Sequence, residues 1–123
     1  MSTAGSTEQA FRLVQDALPD IDQRLPRFQV LSGPPEADLQ VFFFDYLTDL
    51  LPRLREAAAA PDRVAIARHA HALKGTGGSV GFPELSALGE RLEEVAKAGL
   101  DGDARALIGV LAGWLHLARG GAA

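Results

Sequence analysis

The sequence predicts an all-α fold: an antiparallel four-helix bundle with an additional short helix at its N-terminus. Three observations carry that prediction. Apolar residues recur at three- and four-residue spacing along four long segments. No segment alternates with period two, and no internal repeat at solenoid spacing is present. The joins between segments are short and rich in Pro, Gly and Asp, which implies antiparallel neighbours. A chain of 123 residues fits one domain. The domain is placed at residues 8–119, with a disordered tail at 1–7 and a flexible one at 120–123.

The short helix runs from Glu8 to Leu18, with Phe11, Val14 and Leu18 on one face. From Pro19 to Pro35 turn formers dominate, so an irregular connection with one helical turn is expected. The first long helix spans Glu36 to Ala58. Its stripe is Leu39, Phe43, Leu47, Leu50 and Leu54, flanked by Phe42 and Tyr46, and Pro52 should kink or weaken it. "AAPDR" resets the chain, and a second long helix follows from Asp62 to Ser79, with Gly81 as its C-cap. The third starts at Pro83 and closes at Gly99. Leu85, Leu88, Leu92, Val95 and Ala96 form its apolar stripe, leaving Glu90, Glu93, Glu94 and Lys97 in water. The fourth has Asp101 as N-cap and Ala104, Leu107, Ile108, Leu111 and Leu115 on its stripe.

Composition removes several function classes. Cysteine is absent, so disulfides, thiolate metal sites and cysteine nucleophiles are excluded. The formal net charge of −4 comes with no basic stripe, so a nucleic-acid partner is not expected. No apolar run reaches the ~18–20 residues of a membrane span, and "MSTAGSTEQA" lacks the pattern of a signal peptide. A cytoplasmic location without membrane attachment is the expectation.

The stretch "HAHALKGTGGSVGF" (His69 to Phe82) decides the function. It holds four of the thirteen glycines, two histidines and one lysine. A phosphate-cradling loop would use the same residue types, but the spacing is wrong. Lys74 precedes the glycines, where a P-loop lysine follows them, and Val80 stands where a dinucleotide loop needs its third glycine. Both loops also follow a buried strand, and Ala65–Leu73 has helical period. On a helix, Ile66, Ala70, Leu73, Gly77 and Val80 gather between ~180° and ~260° from His71 as a core stripe. His71, Lys74, Gly75 and Gly78 fall on the opposite side.

That face has a chemical use. An exposed imidazole is largely neutral at cytosolic pH and can attack phosphorus through a ring nitrogen. Lys74 can stabilise charge on a transferred phosphoryl group. Gly75 and Gly78 can leave the ring accessible to another protein's active site. Each glycine costs a helix about 1 kcal/mol relative to Ala, so stability alone does not explain them.

"HALKGTGGSVG" resembles the H-x-[LI]-K-G-x-x-x-x-[LV]-G signature of histidine phosphotransfer (HPt) domains of two-component phosphorelays. The likeness covers about residues 8–118. It implies a four-helix bundle with the phosphoacceptor histidine, here His71, in the middle of one helix. It further implies Lys74 and Gly75 as the signature's neighbours, Gly78 as a small residue beside the site and Gly81 as the helix-ending glycine. The implied partners are receiver domains of response regulators and hybrid histidine kinases. The chain would act as a monomer with no cofactor or metal of its own, Mg²⁺ sitting on the partner receiver. No residue resembles a nucleotide site, so ATP-dependent autophosphorylation is not expected. Two other readings use the same features: the phosphoacceptor domain of a chemotaxis-type kinase, and a four-helix adaptor without chemistry.

Plainer readings apply elsewhere. His69 points ~200° from His71 and reads as structural, which also argues against a His69/His71 metal pair. His116 reads as a surface histidine, Trp114 as bundle packing and Gly77 as a close helix contact. Lys74 has a plainer reading as a solvated lysine. In "VFFF" Phe43 is expected in the core, Val41 or Phe44 exposed, and the run packed on the N-terminal helix. Val64, Ala67 and Arg68, on the His71 face, are candidates for a docking rim.

Overall fold

The computed structural model describes residues 3–28 and 37–121, with side chains from Thr7 onward. Among the described residues six α-helices follow one another: α1 (Thr3–Ala17), α2 (Ile21–Arg24), α3 (Ala37–Ala59), α4 (Arg63–Gly77), α5 (Pro83–Lys97) and α6 (Asp101–Ala118). No strand occurs among the described residues. Short 3₁₀ turns at Leu25–Arg27 and Gly78–Val80 extend α2 and α4. The expected all-α bundle is what forms.

Several expectations change in detail. The N-terminal helix is not short: it begins at Thr3 and is as long as α4 and α5, so the expected tail at residues 1–7 is helical from Thr3. Its buried face is Ala10, Val14 and Leu18, with Phe11 only half-buried. Much of the expected Pro19–Pro35 connection is ordered as α2 and its 3₁₀ turn, while residues 29–36, including Glu36, lie outside the described residues.

Helix α3 buries Phe43, Leu47, Leu50, Leu51 and Leu54. Leu39 is half exposed, because it sits in the first turn beside exposed Val41 and Phe42, ahead of the packed part that starts at Phe43. The helix runs unbroken through Pro52, which lies on its exposed face. The "VFFF" run packs elsewhere than expected. Phe43 and Phe44 stack on Phe82, with centroids 5.8 and 6.0 Å apart. Phe82 in turn meets the Trp114 ring edge-on at 4.8 Å, so offset and T-shaped aromatic pairs close this end of the bundle. Helix α1 lies instead along α6 and α5.

Trp114 is fully buried, as bundle packing requires, and its Nε1 donates to Oε2 of buried Glu84 at 3.1 Å. Helix α4 is capped by Asp62, whose carboxylate accepts from Ala65 N at 3.0 Å. It ends at Gly81, with φ of 91°, a left-handed conformation that glycine adopts without strain. Asp101 is not the N-cap of α6: Leu100 holds that position, and Asp101 takes a paired contact from Arg63 at 2.9 and 2.8 Å. That pair ties the start of α6 to the start of α4.

Candidate functional site

The site grows from the contact between α4 and α5. Gly77 and Gly89 sit where the two antiparallel helices meet. A methyl group at Gly89 would come within 2.7 Å of Lys74 N and 2.8 Å of Ala70 O; one at Gly77 would come within 2.7 Å of Ser86 N. Only hydrogen fits at either position. Sequence reading anticipates the close contact at Gly77 but not its counterpart Gly89.

This approach lines up contacts as rungs: the side chains of His71 and Lys74 face Glu93 and Glu90, and the Gly78 backbone faces Ser86. The His71 side chain is 71% exposed, with Nδ1 3.1 Å from Glu93 Oε2. Glu93 also holds Lys97 at 3.2 Å. Burial pushes the Glu93 carboxyl up, but Lys97 and His71 outweigh it, so it is held below the usual carboxylate range. It is ionised at neutral pH and serves as an acceptor. When Nδ1 carries the ring proton, it donates to Glu93 and leaves the Nε2 lone pair facing outward.

Lys74 is one turn beyond His71. Its side chain is 33% exposed, and Nζ lies 3.5 Å from Glu90 Oε2. Glu90 is not in water as expected; its side chain is 8% exposed. The sequence gives it the polar face of α5, but α2 and its 3₁₀ turn cover that face. Arg24 Nη1 donates to Glu90 Oε1 at 2.7 Å, and Arg27 donates to both carboxylate oxygens at 2.6 and 2.9 Å. Arg24 is itself buried and also binds Asp20 and Glu94. Burial pushes the Glu90 carboxyl up, but Arg27 and Arg24 more than offset it and hold it low.

Gly75 and Gly78 do different things. At Gly75 an added methyl would meet nothing within 4 Å, so the surface beside His71 is open. Gly78 corrects the expectation of a second open position. It is buried, its N–H donates to Ser86 Oγ at 2.7 Å, and the backbone carbonyl of Phe28 occupies the space a side chain would need. It accommodates the 3₁₀ turn after α2. Together Arg27, Phe28, His71, Lys74, Gly78 and Ser79 line a shallow cavity of about 350 Å³.

Val64 is open to solvent at the start of α4, with Arg68 exposed and Ala67 half-buried. His69 is half-buried, and burial beside Arg68 and Arg53 lowers its pKa. Among the described residues, no group of His, Cys, Asp or Glu gathers to hold a metal ion, and no helix is long and apolar enough to cross a membrane.

Arg24, Arg27, Gly89, Glu90 and Glu93 are the site residues that sequence reading missed. A usable signal existed for two of them: Glu90 and Glu93 are spaced three apart on α5, as His71 and Lys74 are on α4.

Fold and site define an all-helical bundle presenting an exposed histidine, backed by a carboxylate and flanked by a lysine on its own helix. The family model for the Hpt domain matches residues 38–120, most of the chain, and the chain belongs to the histidine phosphotransfer domain family. Such domains are phosphotransfer modules of phosphorelays and interact with receiver domains. No curated protein and no solved structure matches the chain.

Proposed function

We propose that this chain relays phosphoryl groups between receiver-domain aspartates by carrying them on His71. The observation that supports this best is the His71 ring itself: most of it is open to solvent, while Nδ1 is engaged by Glu93. In the transfer, the Nε2 lone pair forms the N–P bond as the bond from phosphorus to the aspartyl oxygen breaks. The electron pair leaves on the aspartate carboxylate, and the positive charge gained by the ring is stabilised through Nδ1–H by Glu93. No proton has to move. Lys74 leans on an already crowded Glu90 and can turn to the phosphoryl oxygens.

The partner receiver supplies Mg²⁺ and the rest of the catalytic groups. Gly75 admits it, and Val64, Ala67 and Arg68 form the rim it rests on. The bundle works as one monomeric domain in the cytoplasm, without ATP-dependent kinase activity of its own.

The test is a two-step transfer. The chain is mixed with a receiver carrying labelled aspartyl phosphate, repurified, and offered to a second receiver. A carrier gains ~80 Da in the first step and loses it in the second. An adaptor without chemistry gains nothing. A phosphoacceptor domain of a chemotaxis-type kinase takes its phosphate from a kinase catalytic domain with ATP and not from a receiver.

A further inference from the structure

We propose that Arg27 is a second cation for the phosphoryl group carried on His71, an inference that rests on His71 being the acceptor. Arg27 reaches the site from the 3₁₀ turn after α2, far from the "HALKG" stretch in sequence, and lines the same cavity as His71 and Lys74. Two contacts fix its guanidinium. Glu90 takes a paired hydrogen bond from Nη1 and Nη2, and the Phe28 ring lies 5.2 Å from Cζ.

Those bonds use one hydrogen on each Nη. Three of the five guanidinium hydrogens remain, and the side chain is 56% exposed. Glu90 is oversubscribed: Arg24, Arg27 and Lys74 all converge on its one carboxylate, Lys74 at the longest distance. Arg24 has Asp20 and Glu94 besides. Arg27 and Lys74 therefore share one negative charge at the cavity wall, which leaves an excess of positive charge there. A dianionic phosphoryl group on Nε2 would draw on both. A planar guanidinium suits it, because it offers paired donors to neighbouring phosphoryl oxygens.

The experiment uses phosphoramidate as the donor, which removes receiver docking from the measurement. Nε2 forms the N–P bond, the donor's P–N bond breaks, and ammonia leaves with the electron pair. Initial rates of phosphorylation and the ³¹P chemical shift of the phosphoprotein are compared for the wild type, Arg27→Gln and Arg27→Lys, with thermal melts alongside. Arg27→Gln should slow phosphorylation by roughly 5–50-fold and move the ³¹P signal, the scale expected of one lost charge-assisted contact. Arg27→Lys should fall between the two and serves as the deciding variant if Arg27→Gln does not fold. Wild-type rates and an unmoved ³¹P signal in both variants, even with a lower melting temperature, would overturn the proposal and leave Arg27 a structural partner of Glu90. A wild-type protein that takes no phosphate on His71 from phosphoramidate or from a receiver overturns the acceptor reading itself, and the role of Arg27 with it.

Discussion

His71 Nδ1 on α4 lies 3.1 Å from Glu93 Oε2 on α5. The contact restrains an otherwise open ring and favours the tautomer with its lone pair on Nε2. Glu93→Ala should therefore slow phosphoryl acceptance by about tenfold, the loss of roughly one good electrostatic contact in the transition state. Initial rates with a phosphorylated receiver check this, and helical circular dichroism should stay near wild type.

Lys74 should matter to the chemical step more than to docking. Lys74→Ala is expected to slow transfer by about 10–100-fold, while the receiver's dissociation constant changes less. Equal losses in both would make Lys74 a docking residue.

Gly75 and Gly89 form a matched pair of opposites. Gly75→Leu meets open space on a helix, so thermal stability should hold or rise by up to about 1 kcal/mol while receiver docking and transfer are blocked. Gly89→Ala drives a methyl against the backbone of α4 and should lower stability by about 1–3 kcal/mol. Melts of the two variants, with transfer assays on the first, check both.

Glu84 should make stability depend on pH in an unusual direction. Burial pushes its carboxyl above the usual range, and its backbone and Trp114 hydrogen bonds offset only part of that. Folding thus favours the protonated form, and ionisation above the folded pKa costs stability that is regained as pH falls. Glu84→Gln keeps an acceptor for Trp114 and should melt higher than wild type at about pH 7, with the gain fading by about pH 4. Glu90 and Glu94, held low by arginines, act in the opposite sense. Their stabilisation is present at neutral pH and is lost as pH falls through their folded values, so both proteins should melt lower in acid.

Helical periodicity carried most of the fold, because burial on a bundle follows a stripe that can be read residue by residue. Val14, Leu47, Leu54, Ile66, Leu88 and Leu111 are all buried where that stripe puts them. It misled where a second element covers a polar face. Glu90 has the pattern of a solvated residue, and nothing local to α5 announces that α2 folds over it. The same limit hid Arg24 and Arg27, which lie in a stretch of turn formers and meet Glu90 only through tertiary packing. Gly78 illustrates the opposite error. Its helical angle beside His71 implies open surface, but the chain at Phe28 fills that space. His71, Lys74 and Gly75 were legible because helical geometry alone brings them to one face.

The most direct measurement locates the phosphate. The wild type, His71→Gln and His69→Gln are each incubated with a phosphorylated receiver and mapped by mass spectrometry under conditions that preserve phosphohistidine. The wild type and His69→Gln should each gain one group of ~80 Da on His71, and His71→Gln should gain none while keeping its helical circular dichroism. Phosphate on His69 or His116, or undiminished acceptance by His71→Gln, would contradict His71 as the carrier.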